Sequence, residues 1–258
     1  MMKVRVTTKA RQAEILKLLK RDGRAIVDDL AELLETTPQT IRKDLNTLAQ
    51  DNQIIRFHGG ATLAAGTEYA GFDVRSEIMS EEKDLIGAAV AAEIPNNSNV
   101  ILNGGTTTMA VARHLVHHVG LKVVVDSVNL ANELRSCIGV QVIVPSGVVR
   151  NADGAIFGAT TVDFIRRFRA DVAVVGAAAV GADGALIDYD LEESAVSEAI
   201  ISSGRNVVLA VDSSKFGKMA PVAFGAMAQI DTLVSDAGFA PEMKALADHY
   251  DVRFVVAR

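Results

Sequence analysis

The 258-residue chain is long enough for one large domain, or for a small domain beside a medium one. Hydrophobic residues make up 49% and charged residues 22%, which predicts a folded protein with a sizeable core, and no apolar run approaches the ~20 residues of a membrane span. The first residues lack the apolar stretch of a secretory signal, and the lone Cys137 excludes an internal disulfide, so we expect a cytoplasmic protein with no membrane attachment.

The charge is distributed unevenly along the chain. Residues 1–60 contain 11 Lys and Arg against 8 Asp and Glu, a net charge of +3, whereas residues 61–258 contain 15 against 24, a net charge of −9. A basic N-terminal part on an acidic body is typical of a protein in which only the first part contacts phosphate, although +3 also fits an ordinary solvated surface.

The first sixty residues predict three short helices and a hairpin. Apolar residues recur at helical spacing in 9–20, 27–34 and 38–50. Thr37 and Pro38 suit the cap and first turn of the third helix. Residues 53–58 alternate like a strand, and the two glycines after them turn the chain back. This order predicts a winged helix-turn-helix.

The third helix has a polar face near its start. Ile41, Leu45 and Leu48 must pack inward, and the start of a recognition helix is where side chains meet base edges in the major groove. Gln can pair with adenine, and Arg or Lys with guanine, while a basic strand tip suits a wing that touches phosphate. The candidate ligands of double-stranded DNA are Thr37, Gln39, Thr40, Arg42, Lys43, Asn46, Arg56 and His58. The alternative for Arg42 and Lys43 is an ordinary solvated helix face.

The pattern changes after residue 61. Residues 62–76 are small and polar without a clear period, which indicates a linker between a DNA-binding domain at 1–61 and a second domain at 77–258. In that second domain short Val- and Ile-rich strands alternate with helices, so we predict an α/β fold with a mostly parallel sheet covered on both faces. The predicted strands are 99–102, 122–125, 140–144, 171–177, 206–211, 230–234 and 252–256, and the predicted helices are 81–93, 107–116, 128–135, 159–168, 191–203 and 241–249.

A glycine- and threonine-rich turn, residues 104–108, lies between the first of these strands and a helix. Glycines let backbone N–H groups approach a ligand, hydroxyls add donors, and the following helix dipole favours an anion. The turn predicts a phosphate cradle, but neither a Walker loop nor a dinucleotide fingerprint. A strand-to-helix turn capped by Thr is the alternative.

Other loops are expected at the same sheet edge, because ligands of open α/β sheets collect at the carboxyl ends of the strands. Lys215 can supply a point charge for a phosphate, and the alternative is an ordinary solvated lysine on a loop that follows a strand. The acidic stretch 188–193 can bind sugar hydroxyls, hold a divalent cation or, most simply, cap the following helix. The candidate effector ligands are Asn103, Gly104, Gly105, Thr106, Thr107, Thr108, Asp126, Ser127, Ser146, Gly147, Arg150, Asp190, Asp212 and Lys215. We expect no metal, no cofactor and no catalytic residue.

Two N-terminal motifs, TPQTIRKDL at 37–45 and RFHGGA at 56–61, resemble the DeoR family of bacterial sugar-metabolism regulators. Motifs at 105–108, 147–154, 183–190 and 212–217 extend the resemblance over nearly the whole chain, and 183–186, 188–190, 196–201 and 212–217 most resemble its glycerol-3-phosphate regulon repressor branch. The resemblance implies a second domain similar to ribose-5-phosphate isomerases and CoA-transferases. It also implies a phosphorylated sugar or polyol effector, such as glycerol-3-phosphate, and a homo-oligomer, either a dimer or a tetramer.

Four residues depart from the pattern of the family this chain resembles. Asn103 stands where the family usually has Asp, Asp126 where it usually has Asn, and Ser146 where it usually has Gly. Ser213 stands where the glycerol-3-phosphate branch usually has His. All four lie at the rim of the predicted pocket, so they bear on the identity of the effector rather than on the fold.

These patterns favour a regulator, expected to be a repressor, of a carbohydrate or glycerol catabolism operon. A sugar-phosphate isomerase is the first alternative, with Asp126, Asp212 and Lys215 as possible base and electrophile. The sequence contains no evident pairing of a nucleophile with its base, and an enzyme would not need a DNA-binding domain. A second alternative is a protein-interaction module that uses the helix-turn-helix as a docking surface.

Overall fold

The computed structural model describes residues 8–22, 24–50, 54–57, 59–63, 72–151, 153–239 and 241–258. The chain forms two compact units that divide between Ile78 and Met79. Within the described residues, no helix combines the length and the apolar character needed to cross a bilayer.

The described residues of the first unit form four helices and a small antiparallel sheet. Its helices are α1 (Thr8–Asp22), α2 (Val27–Leu33), α3 (Pro38–Gln50) and α4 (Phe72–Glu77). Its strands β1 (Arg24–Ile26), β2 (Ile54–Phe57) and β3 (Gly60–Leu63) form a sheet in the order β1-β3-β2. The sheet and three successive helices form the predicted winged helix-turn-helix, with an additional strand, β1, that the sequence did not indicate.

Apolar residues from α1, α2 and α3 form the core of this unit. Ile15, Leu19, Ile41 and Leu45 are all fully buried. The β2–β3 hairpin turns at Gly59, whose φ of +86° lies in the left-handed region that favours glycine. At the next position a Cβ atom would lie 2.4 Å from the backbone oxygen of Ala25, so only glycine lets β3 pair this closely with β1.

The second unit is built on a seven-stranded sheet in which every neighbouring pair is parallel. The strands are β4 (Asn99–Leu102), β5 (Leu121–Val125), β6 (Val140–Ile143), β9 (Ala170–Val175), β12 (Gly204–Ala210), β14 (Thr232–Ser235) and β15 (Arg253–Val256). The helices are α5 (Ser80–Ala92), α6 (Thr106–His114), α7 (Val128–Leu134), α8 (Ala159–Ile165), α9 (Leu191–Ser203) and α10 (Pro241–His249). The predicted α/β fold with a parallel sheet is confirmed.

The order of this sheet, β15-β14-β12-β9-β4-β5-β6, reverses direction between β4 and β9. From β4 the chain proceeds through β5 and β6 toward one edge, and from β9 it proceeds through β12, β14 and β15 toward the other. Right-handed crossovers in two directions place the connecting helices on opposite faces. The crevice outside the carboxyl ends of β4 and β9 is therefore the switch point at which open α/β sheets bind ligands.

Five short strands outside this sheet were not predicted. β7 (Val148–Val149) and β8 (Ile156–Phe157) form a small hairpin. β10 (Ala179–Val180), β11 (Ala185–Asp188) and β13 (Val222–Ala226) form a three-stranded antiparallel sheet. These additions lie in the connections that follow β6, β9 and β12.

Candidate DNA interface and effector site

The start of α3 presents the polar face that the sequence predicted. Thr37 caps the helix, because its hydroxyl oxygen accepts the backbone N–H of Thr40 at 3.2 Å. A groove of about 470 Å³ runs beside the helix start. Its lining residues are Thr8, Arg11, Thr37, Gln39, Thr40, Lys43, Asp44 and Thr47. Gln39, Arg42, Lys43 and Asn46 are exposed, whereas Thr40 is half-buried.

The polar part of α3 also includes a buried acid. Asp44 is only 2% exposed, and its carboxylate accepts a hydrogen bond from Nε of Arg11 in α1 at 2.5 Å. The Gln12 side-chain amide donates to the other carboxylate oxygen at 3.4 Å. α1 therefore fixes the rotation of α3 through polar contacts as well as through the apolar core.

The hairpin is linked to α3 by a side-chain contact. Arg56 on β2 donates a hydrogen bond from its guanidinium to the side-chain oxygen of Asn46. The sequence treated these two residues as independent DNA ligands, and the structure places them together. His58 lies outside the described residues.

Asn103 connects the two strands at the switch point of the main sheet. Its side-chain oxygen accepts the backbone N–H of Gly176, after β9, at 2.9 Å. Its amide group faces the Gly176 carbonyl and the Ser197 hydroxyl of α9, each at 3.4 Å. The residue is 5% exposed, so its position makes it part of the floor of the crevice.

The predicted phosphate cradle lies directly after Asn103. Gly104, Gly105 and Thr106 are half-buried, and α6 begins at Thr106. Thr107 and Thr108 are 7% and 0% exposed, and the Thr108 hydroxyl donates to the Gly105 carbonyl at 3.1 Å. The donors left at the surface of this turn are therefore those of residues 104–106, at the positive end of the α6 dipole.

Asp126 and Ser127 follow β5 beside that turn. Ser127 caps α7, with its hydroxyl oxygen facing the Leu130 backbone N–H at 3.4 Å. Asp126 is 5% exposed, and its Oδ1 atom has no hydrogen-bond partner among the described residues. Burial, reinforced by the nearby charge of Glu193, raises the pKa of the Asp126 carboxyl from 3.8 to about 8, although the nearby backbone N–H of Gly104 lowers it in part.

Arg150 is held by carboxylates from two parts of the chain. Its guanidinium donates to Asp153 at 2.9 and 2.6 Å and to Glu193 at 2.6 Å, and it lies 3.5 Å from an oxygen of Asp190. These hydrogen bonds raise the pKa of Arg150 above its ordinary value. Asp190 also caps α9 by accepting the Glu193 backbone N–H at 2.9 Å, so helix capping is the role the structure assigns to it.

The connection after β6 contributes a close packing contact. The Ser146 carbonyl accepts the Thr161 hydroxyl at 2.9 Å. A Cβ atom at Gly147 would lie 2.2 Å from that hydroxyl oxygen and 2.7 Å from the Phe157 carbonyl oxygen. Close packing thus explains the glycine at 147 without a ligand.

The loop after β12 brings a second buried acid to the same sheet edge. Asp212 is 1% exposed; its Oδ1 accepts the Ser214 backbone N–H at 3.1 Å, whereas Oδ2 has no partner among the described residues. The Ser213 hydroxyl donates to Asp236, which follows β14, at 2.9 Å. Lys215 is half-buried on this turn.

Three residues of this arrangement were not anticipated from the sequence. Gly176 and Asp236 hold the ends of β9 and β14 to the candidate site, and Ser197 holds the middle of α9 to it. A glycine directly after a buried strand was a usable signal for Gly176, whereas Ser197 lies inside a helix and carries no such signal. In the described part of the chain, no group of three or more His, Cys, Asp or Glu side chains is arranged to hold a metal ion.

Comparisons with known proteins bear on both units. Residues 11–67 match the DeoR-like helix-turn-helix domain, and residues 78–237 match the DeoR C terminal sensor domain. The chain is 38% identical to the glycerol-3-phosphate regulon repressor of Escherichia coli (strain K12) over 237 residues, which cover 92% of this chain and 94% of that protein. It is 34% identical to the HTH-type transcriptional repressor CsqR of the same organism over 231 residues, 90% and 88% of the two chains.

A solved structure resembles part of the chain. Ribose 5-phosphate isomerase A from Methanocaldococcus jannaschii matches with a TM-score of 0.42 and 14% identity, over 55% of this chain and 56% of that chain.

The two domain matches define a DNA-binding transcriptional regulator in which a helix-turn-helix domain is joined to a sensor domain. The chain belongs to the DeoR family, as its motifs predicted. This membership confirms a regulator rather than an isomerase.

Proposed function

We propose that the protein is a cytoplasmic repressor of a carbohydrate or glycerol catabolism operon, and that a phosphorylated sugar or polyol such as glycerol-3-phosphate controls its binding to double-stranded operator DNA. The names of the glycerol-3-phosphate regulon repressors to which it is similar support this effector class. The observation that carries the proposal is the turn at Gly104–Thr106, which opens a helix beside the switch point of the parallel sheet.

We assign one function to each of three successive parts of the chain. Residues 1–61 read DNA, residues 62–76 connect, and residues 77–258 bind the effector. We propose a homo-oligomer, a dimer or tetramer, because two helix-turn-helix domains of a symmetric pair bind half-sites spaced by about 34 Å, one helical turn, or multiples of it.

Effector control requires that the ligand prefer one arrangement of the DNA-binding domains over another. A one-hundredfold preference corresponds to about 2.7 kcal/mol, which is within ordinary coupling free energies. In this proposal the Gly104–Thr106 turn and Lys215 bind the phosphate, because backbone N–H groups and a lysine ammonium are its usual partners. α3 does not contact the effector.

The test is a mobility-shift experiment with DNA from upstream of the protein's own gene, at one stated salt concentration. We expect a specific shift that millimolar glycerol-3-phosphate or another phosphorylated polyol or sugar reverses. The Lys215→Ala variant should bind DNA like the wild type but resist release. The matched control is Lys244→Ala, which removes an exposed lysine paired with Asp248 on α10. A complex indifferent to every phosphorylated compound tested would contradict the proposal.

A further inference from the structure

A buried acceptor without a partner lies beside the candidate phosphate turn. Asp126 directly follows β5, the neighbour of β4 in the sheet, and it is only 5% exposed. A Cβ atom built on Gly104 would lie 3.5 Å from Asp126 Oδ1, so this oxygen faces the first residue of the turn. Leaving a buried oxygen unpaired costs free energy, and a ligand hydroxyl at this position would remove that cost.

The charges around Asp126 select the kind of ligand group that it can receive. Arg150 and Asp153 lie between β7 and β8, Glu193 lies in the first turn of α9, and Asp190 caps that helix; Glu193 and Asp153 are the charges that act on Asp126. The single guanidinium of Arg150 thus pairs with three carboxylates, and Asp126 is a fourth carboxyl group nearby. The surrounding carboxylates disfavour an anionic ligand group next to Asp126. An uncharged hydroxyl group is not repelled, because it adds no negative charge to this part of the site.

We propose that Asp126 recognises a hydroxyl group of the effector and thereby makes the sensor specific for a phosphorylated polyol over a phosphorylated alkyl chain. The proposal rests on the proposed function, in which the phosphate binds at residues 104–106. Gly104 is the first residue of that turn and lies beside Asp126 Oδ1. A hydroxyl group one or two carbons from the bound phosphate can therefore reach Oδ1.

The protonation state of Asp126 is compatible with this role. Burial raises its pKa to about 8, so near neutral pH the carboxyl is largely uncharged. A neutral carboxyl can accept from a hydroxyl or donate to it, and it does not repel the neighbouring phosphate.

A ligand without the hydroxyl would leave Oδ1 unpaired in the complex. Sites built to hydrogen-bond a ligand hydroxyl reject analogues that lack it, and one such bond corresponds to roughly a 10- to 100-fold difference in affinity. We therefore expect glycerol-3-phosphate to bind the wild type at least about 10-fold more tightly than propyl phosphate, which has the same charged group and no hydroxyl.

The experiment is isothermal titration of the full-length protein with both ligands. In Asp126→Ala the affinity ratio should fall to about one, with the propyl phosphate affinity little changed. Asp126→Asn keeps an acceptor oxygen and should retain the preference. The control is Asp171→Asn, which alters an acid at the opposite edge of the sheet, where Asp171 accepts the Asn99 backbone N–H at 2.9 Å.

A second measurement does not depend on the folding of Asp126→Ala. Infrared difference spectra of the wild type should show a shift of a carboxyl C=O band on binding glycerol-3-phosphate, smaller with propyl phosphate and absent in Asp126→Asn. Equal affinities of the two ligands for the wild type, or an equal loss for both ligands in Asp126→Ala, would overturn the role of Asp126 and leave the proposed function intact. No binding of either ligand would overturn both.

Discussion

Asp44 lies within the DNA-reading helix α3, and its carboxylate is bound by Nε of Arg11 in α1 at 2.5 Å. The two side chains are 3% and 14% exposed, so the ion pair is largely shielded from water. Both residues of the pair line the same groove as Thr40 and Lys43, two of the residues that we propose contact DNA. The position of the reading face thus depends on a buried charge pair in addition to Ile41 and Leu45 packing into the core.

Removing the cation of this pair should destabilise the DNA-binding unit. In Arg11→Ala a carboxylate stays buried with part of its compensation lost, and breaking a buried pair in this way costs about 3 kcal/mol. Hydrogen exchange of the α3 amides in the full chain measures the effect, and we expect faster exchange there. Lys17→Ala removes an exposed lysine of the same helix that pairs only with Glu14 in i,i+3 spacing, and it should change stability by less than about 0.5 kcal/mol. Equal exchange in the two variants would contradict the structural role of the pair.

Arg42 should contribute to DNA affinity without contributing to the fold. It is exposed on α3, outside the buried stripe formed by Ile41, Leu45 and Leu48. A guanidinium that pairs with guanine is worth about 1–3 kcal/mol of binding, and one that pairs with phosphate also lowers the salt slope by about one when it is removed. Fluorescence anisotropy titrations of Arg42→Ala at several salt concentrations distinguish these contacts, with Lys244→Ala as the control. Unchanged affinity at every salt concentration would restore the interpretation of Arg42 as a solvated surface residue.

The long elements of the fold were predictable, whereas the short ones were not. α3, α9, α10 and β4 have the predicted bounds because each carries enough apolar residues to establish a period or a complete buried strand. Other predicted elements differ by one to three residues at their ends, where helices fray. The strands of two to five residues outside the main sheet are defined by pairing between distant segments, such as β11 with β13, and such pairing leaves no local pattern.

Asn103 should stabilise the sheet at the switch point. Replacing it with Ala removes the acceptor of the Gly176 backbone N–H inside a buried site, and an unsatisfied buried donor costs about 1–3 kcal/mol. Asn103→Asp keeps an acceptor but loses the amide donors that face Gly176 and Ser197 and places an ionisable carboxyl in a buried site, so we expect at least as large a loss of stability at neutral pH. Urea unfolding of both variants measures this order. Asn132→Ala, at an exposed amide on α7 that accepts from Arg135, is the control. An effect no larger than that of the control would show that the bridge contributes nothing.

The site was predictable as a set of loops, but its internal pairing was not. Parallel strands end at one edge, so the sequence could place residues after β4, β5, β6 and β12 together. It could not show that Arg150 is bound by Glu193, 43 residues later, or that Thr107 and Thr108 are buried in α6. Contacts of this kind depend on how α9 packs, and side-chain type alone does not encode them.

The raised pKa of Asp126 predicts a specific dependence of stability on pH. In the unfolded chain this carboxyl loses its proton near pH 4, whereas in the folded protein it keeps the proton up to about pH 8. Between these values the folded state binds more protons, so the free energy of unfolding contributed by Asp126 falls as the pH rises, by at most about 1.4 kcal/mol per unit. Above pH 8 both states are ionised and the contribution is constant.

Asp126→Asn cannot lose a proton, so its stability relative to the wild type should increase from pH 5 to pH 8 and then level off. Denaturant unfolding at one-unit pH intervals gives this difference, in which Glu193, Asp153 and Arg150 largely cancel because both proteins contain them. A stability difference between Asp126→Asn and the wild type that stays constant from pH 5 to pH 8 would mean that the buried carboxyl is already ionised in the native protein.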